Sequence, residues 1–202
     1  SEIYDIFHFG SGGKCKCVDP PYDMVAWFPL DEPIGATTVL DIAPPPTNGT
    51  YLPSSGGPNP VPRKVAGGRN FDGVDDYVEI ADDASLNFGT GDLSIDAWIR
   101  TDDFGELKIL VDKRSTEGDQ QVRGYALFLR NGFLGFQLAD GTATDYISTV
   151  VVAGWFWHHI AVTVDRDSQT GGKFYVDGNE VGVFSPMAHP GSLTNSSPLR
   201  MG

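Results

Sequence analysis

The chain has 202 residues, 40% of them hydrophobic, with 25 glycines, 14 prolines and a formal net charge of −13. That length supports one large domain with a real core, and the hydrophobic content excludes general disorder. The acidic balance excludes a phosphate-binding nucleic-acid surface and disfavours docking on an anionic membrane. No apolar run approaches bilayer length, so no membrane insertion is expected. An acidic surface suits extracellular solubility and divalent cations. The opening Ser1-Glu2-Ile3 lacks the basic start and apolar stretch of a secretory signal, as a processed mature chain and a cytosolic chain both would.

Residues 1–21 read as an arm and linker. Ile3-Tyr4-Asp5-Ile6-Phe7-His8-Phe9 carries β-favouring and aromatic residues, too apolar for a solvated tail, with Ile3, Phe7 and Phe9 as its anchors. Gly10-Ser11-Gly12-Gly13 then adds flexibility, and Pro20-Pro21 stiffens the approach to a domain expected over residues 22–202. Cys15 and Cys17, the two cysteines, are too close in an extended chain for a mutual disulfide and too few for a closed zinc site. Free thiols and interchain disulfides both stay open.

Met24-Val25-Ala26-Trp27-Phe28 reads as the first strand, stopped by Pro29, and residues 31–62 read as a long loop broken by prolines and glycines. Short strands are expected around Tyr77-Val78-Glu79-Ile80, after an acidic turn from Asp72 to Asp76. Leu93-Ser94-Ile95-Asp96-Ala97-Trp98-Ile99 alternates as a half-buried strand does, with Trp98 alone breaking its polar side. Residues 107–113 predict another strand. Residues 125–130 and 133–138 flank Asn131-Gly132, a type I′ hairpin signal, because both turn residues tolerate positive φ. Residues 156–165 predict a long strand with Trp157, His159, Ala161 and Thr163 on one face and His158 on the other. A second tight hairpin follows at Asp177-Gly178-Asn179, then a last short strand at Pro198-Leu199-Arg200-Met201. Many short strands joined by tight turns, with no convincing helix, predict an all-β, two-sheet antiparallel β-sandwich.

Four motifs in order, Phe71-Asp72-Gly73-Val74-Asp75-Asp76-Tyr77-Val78-Glu79-Ile80, Leu93-Ser94-Ile95-Asp96-Ala97-Trp98-Ile99, Trp157-His158-His159-Ile160-Ala161-Val162-Thr163 and Tyr175-Val176-Asp177-Gly178, resemble the laminin-G-like, concanavalin A-like jelly-roll domains of bacterial secreted proteins. The resemblance covers residues 24–202 and implies an extracellular or cell-surface module. It speaks to fold more than function, because this fold serves sugar binding, adhesion, assembly and sometimes hydrolysis. Family members usually continue beyond the segment matching residues 198–202 with a further long strand. Here the sequence ends, and the arm from Ile3 to Phe9 is one candidate to fill such a gap by strand addition, within its own domain or in a neighbour of a homopolymer; a trimmed sequence is the alternative.

The resemblance also implies calcium at the rim of the sandwich, with Asp140 and Asn195 at the matching ligand positions; Asp140-Gly141 alone would serve equally as a turn. Asp41 is a further oxygen candidate, and the Asp72–Asp76 turn lacks EF-hand spacing. Glycan binding needs exposed rings beside planar polar groups, and Trp155, Phe156 and Tyr146 are the candidates, with Trp27, Trp98 and Trp157 assigned to the core. Catalysis has little support: the strands hold no acidic cluster of the E-x-D-x-x-E type, and adjacent His158 and His159 point to opposite faces. The expected function is a non-catalytic recognition or adhesion module for a glycan or extracellular protein. A filament or sheath subunit joined through the arm is the alternative, and a hydrolase of the same fold comes last. Asn48 and Asn195 head sequons that matter only in a glycosylating source.

Overall fold

The computed structural model describes residues 20–53, 57–60, 67–116 and 121–202, so the arm residues Ile3, Phe7, Phe9, Cys15 and Cys17 lie outside the described residues. The described chain forms two compact units, residues 87–197 and residues 20–86 with 198–202. Among the described residues the elements are strands, apart from 3-10 turns at Ala84–Leu86 and Pro186–Ala188.

In the first unit, β6 (Leu93–Ile99), β11 (His158–Val164), β12 (Gly172–Val176) and β13 (Asn179–Phe184) make one antiparallel sheet in the order β13-β12-β11-β6. The other contains β7 (Lys108–Thr116), β8 (Val122–Arg130), β9 (Phe133–Asp140) and β10 (Ala143–Val151), each paired with the next. Both expected hairpins form, with positive φ at Asn131 and Gly132 and at Asp177 and Gly178, as type I′ turns require. The period-2 pattern delivers Leu127, Leu129, Leu134, Phe136 and Leu138 from one sheet, and Ile160, Val162, Val164, Phe174 and Val176 from the other, to a shared core. Phe184 sits among them, with ring centroids 5.1 Å from Phe174 and 4.1 Å from Tyr146. This is the expected β-sandwich.

The second unit contains β1 (Thr38–Val39), β2 (Gly49–Leu52), β5 (Tyr77–Ile80) and β14 (Leu199–Met201) in that sheet order, and a separate pair, β3 (Asn59–Pro60) with β4 (Arg69–Asn70). Residues 24–28 do not form the expected strand. Their segment is held by Asp41, whose Oδ1 accepts the Trp27 N–H at 2.8 Å and the Ala43 N–H at 2.9 Å, while Oδ2 accepts Thr47 N–H at 3.0 Å. Asp41 thus organises a loop with its carboxylate. The run read as loop hides β2, and the polar sequence of β10 concealed an edge strand. Nearby, buried Tyr51, Glu32 and Arg69 interlock: the Tyr51 hydroxyl donates to Glu32 Oε2 at 2.5 Å and accepts from Arg69 Nε at 2.7 Å.

After β13, residues 185–197 run as a strap fastened to the first unit by buried polar groups. Lys113 on β7 has no solvent exposure, and its ammonium donates to the Asn195 carbonyl (3.1 Å), Asn195 Oδ1 (3.3 Å) and Asn87 Oδ1 (3.4 Å). Asn195 Nδ2 in turn donates to the carbonyls of Lys113, Arg123 and Leu193 at 2.8, 3.1 and 3.2 Å. The close approach requires Gly124, at φ +122°, where a Cβ would stand 2.0 Å from the Lys113 carbonyl oxygen. Between these anchors the strap drops Leu193 into the core.

Removing the amide takes one acceptor from a buried ammonium and the side-chain donor from two β-strand carbonyls, so Asn195→Ala is expected to destabilise the protein by about 3 kcal/mol. Urea denaturation of the variant checks this. A loss within experimental error would show that the strap is held elsewhere.

Candidate functional site

The outer face of the β7–β10 sheet carries a polar ladder. Asp112 and Arg114 project from β7, Arg130 from β8, Gln137 from β9 and Asp145 from β10, and the register places Asp112, Ala126, Gln137 and Asp145 in one cross-strand row. Arg114 donates to both Asp112 oxygens, at 2.8 Å from Nε and 2.6 Å from a terminal nitrogen, and to Gln137 Oε1 at 2.7 Å. Gln137 Nε2 donates to Asp145 Oδ1 at 2.5 Å, and Arg130 donates to Asp145 Oδ2 at 2.6 Å. The hydrogen bond to Asp112 raises the Arg114 pKa further above its ordinary value. Ala126, beneath the ladder, leaves room for these long side chains to lie across the sheet. The groups are planar, half-buried and mutually oriented, so a ligand meets donors and acceptors already in place.

Arg130 ends the ladder. Its guanidinium lies 5.0 Å from the Phe128 ring centroid and also lines a cleft formed with Gly105, Glu106, Leu107 and Lys108. Beside it, Phe104, Val151 and Ala153 crowd the tight turn at Gly132, each within 3.2 Å of where a Cβ would sit. Phe104, Leu107, Val150 and Val151 are exposed along this rim. The same rim holds Trp155 and Phe156, 73% and 75% exposed. Trp155 adopts φ +44° after Gly154, whose N–H is fixed to the Thr101 carbonyl at 2.8 Å. A bulky side chain in the left-handed region is an outlier that costs about 1–3 kcal/mol, and here it holds an indole in solvent.

The structure divides the sequence candidates. Trp155 and Phe156 are presented as a ligand platform would be. Tyr146 is not: it stacks on Phe184, its hydroxyl is buried with no hydrogen-bond partner among the described residues, and burial raises its pKa. It belongs to the core. Trp98 and Trp157, assigned to the core, instead lie half-buried on the outer face of the opposite sheet. The ladder residues escaped notice because each is an ordinary polar residue on a strand. The available signal was their shared parity across neighbouring strands, which needs the register to be seen.

Asp140 and Asn195 carry separate sets of hydrogen bonds. Asp140 Oδ1 is 2.9 Å from His189 Nδ1 and Oδ2 accepts the Gly191 N–H at 2.8 Å, while Arg166 donates to the carbonyls of His189 and Gly191. Asn195 belongs to the separate Lys113 cluster, where an ammonium already supplies the positive charge. Both residues therefore fasten the strap. Asn195 is also too buried to serve as a sequon, whereas Asn48 is exposed. Elsewhere, Asp72, Asp75 and Asp76 gather carboxylate oxygens within 4.8 Å of one another. There the N–H of Val74 holds the Asp72 carboxyl below its ordinary pKa, and burial raises Asp76. Asp72 Oδ1 accepts from Val74 (2.8 Å) and Asp75 (3.2 Å), so the cluster closes its own turn.

Residues 72–202 match the laminin G-type family model of the concanavalin A-like lectin/glucanases superfamily. The solved structures similar to this chain include the binding domain of botulinum neurotoxin DC in complex with rat synaptotagmin II, with 13% identity and a TM-score of 0.63 over 90% of this chain and 44% of that one. Another is botulinum neurotoxin type C, described as entering cells through interaction with two ganglioside molecules, with 11% identity and a TM-score of 0.62 over 89% and 42% of the two chains. The chain thus spans less than half the length of these structures, and at such identities the likeness is one of fold. A search of the curated proteins found no match.

Burial pushes the Asp140 carboxyl up, but the His189 contact and the Gly191 N–H together outweigh it and leave the pKa below its ordinary value. A depressed folded-state pKa stabilises the protein above the unfolded value near 3.9 and loses that contribution as pH falls through the folded value. Asp140→Asn is therefore expected to cost about 2 kcal/mol at pH 7, with the gap from the parent closing in acid. Urea titrations of both proteins at neutral and acidic pH read the difference. A gap that persists unchanged in acid would contradict the ionic role.

Proposed function

The chain belongs to the concanavalin A-like lectin/glucanases superfamily, and we propose that it is a non-catalytic recognition module, extracellular or at the cell surface, that binds a glycan through the β7–β10 outer face and the adjoining aromatic rim. The observation that carries this reading is the union of a preoriented polar ladder, Asp112–Arg114–Gln137–Asp145–Arg130, with exposed Trp155 and Phe156 on one unit. Sugar hydroxyls donate and accept at once, and the ladder offers carboxylate acceptors beside guanidinium and amide donors. The apolar C–H face of a pyranose matches an indole or phenyl face.

The same geometry speaks against hydrolysis at this face. Glycoside hydrolysis needs one carboxyl kept protonated to act as acid. Here Asp112 is neutralised by Arg114, and Asp145 by Arg130, at 2.6 Å each. The two similar toxin structures are described with a protein partner in one case and gangliosides in the other, the two ligand classes considered for this chain.

On a glycan array run with and without calcium, the protein is expected to be retained selectively. Trp155→Ala is expected to weaken the retained glycan about tenfold, the loss of one stacked ring. Arg130→Ala should weaken it further while the fold persists. Retention of no glycan under either condition, or affinity indifferent to both substitutions, would sink the proposal.

A further inference from the structure

The charges on the ladder face and its rim bear on which saccharides that face can take. Among the described residues, each cation there already lies against a carboxylate: Arg114 against Asp112 at 2.6 Å, Arg130 against Asp145 at 2.6 Å and Lys108 against Asp103 at 2.7 Å. Every one of these carboxylates is also pinned by a second hydrogen bond. Asp145 Oδ1 accepts from Gln137 Nε2 at 2.5 Å, Asp103 Oδ1 from the Gly105 N–H at 2.6 Å, and Asp112 Oδ1 from the Arg114 N–H at 3.0 Å. Glu106 adds a further carboxylate beside Lys108 and Arg130 in the cleft. Four carboxylates, Asp103, Glu106, Asp112 and Asp145, therefore stand against three cations. Arg100 does not change this balance, because its guanidinium lies over the Trp157 ring, 5.4 Å from the centroid.

We propose that this face selects uncharged saccharides and rejects acidic ones, with Asp103, Asp112 and Asp145 imposing the choice. The inference rests on the glycan reading of the face given above. A sugar hydroxyl both donates and accepts, so it takes an N–H from a guanidinium while giving its own proton to the paired carboxylate. A ligand carboxylate or sulfate only accepts. It meets cations that are already neutralised and oxygens of its own sign, and such like-charge contacts are what exclude a wrong partner. To win a cation it must displace a carboxylate that the fold holds in place at high effective concentration. The net charge of −13 adds repulsion at longer range, which salt screens. A neutral sugar feels neither effect.

The test places the full chain on an array of matched oligosaccharides: uronate-containing chains beside their carboxyl-reduced forms, and sulfated chains beside their desulfated forms. The neutral member of a retained pair is expected to bind about tenfold more tightly than its acidic counterpart. Added salt should leave neutral binding unchanged, because the ligand brings no charge to screen. Asp103→Asn and Asp145→Asn each release one cation while keeping a side-chain carbonyl for the second hydrogen bond. In each variant the neutral-to-acidic ratio should fall several-fold. Equal or tighter binding of the acidic members by the unaltered protein would overturn the selectivity and leave the glycan reading standing. A ratio that both substitutions leave unchanged would overturn the assignment to these carboxylates. Retention of neither member of any pair would overturn the glycan reading itself, and the selectivity with it.

Discussion

A single buried ammonium holds the strap that closes the sandwich. Lys113 sits in β7 without solvent contact, and its charge is met by two oxygens of Asn195 and one of Asn87. An unsolvated charge is costly unless every donor finds an acceptor, so the position of Asn195 is dictated to within a hydrogen-bond length. The Asn195 amide then ties the strap to the carbonyls of β7 and β8. Arg166 and the Asp140–His189 contact repeat the device nearer the start of the strap. Between these points Leu193 enters the core, so polar geometry outside decides which apolar side chain completes the inside.

These anchors give the oxygen-bearing groups at the rim partners within the chain. Two of those partners are cationic side chains. Lys113 and Arg166 are charges fixed by the chain, and they bind backbone carbonyls of the strap much as a metal ion would. The physical requirement is the same: a positive charge at the centre of converging oxygens. What differs is that the charge arrives with the sequence.

The two outer faces of the sandwich have divided roles. On β7–β10 the long polar side chains are paired with one another and lie flat, which keeps the face open and oriented. On β6, β11 and β12 the outward positions mix Trp98 and Tyr175 with Asp96 and Lys173, and His159 is sealed from solvent. The first arrangement suits reversible contact with hydroxyl-bearing ligands, because the ladder exchanges hydrogen bonds without first ordering its side chains. Because one unit carries both, the aromatic rim at Trp155 and Phe156 is free to serve the ladder side alone.

The sequence by itself determined the all-β class, both type I′ hairpins and the alternation of β6 and β11, because these depend on neighbours along the chain: periodicity, Asn-Gly and Asp-Gly. Exposure of Trp155 and Phe156 was legible too, from their place after Gly154 at a strand entrance. Only tertiary structure decided the rest. Asp41 removed an expected strand by capturing amides on both sides of a loop, an interaction between residues fourteen apart. Tyr146 passed from candidate platform to core because Phe184 came to stack on it. Asp140 and Asn195 found their partners in His189, Gly191 and Lys113, and the ladder emerged only when register set four strands side by side. Each of these outcomes turns on which distant group reaches a polar atom first. Local pattern carries no information about that, since a side chain's parity fixes the face it points from but not the partner that waits there.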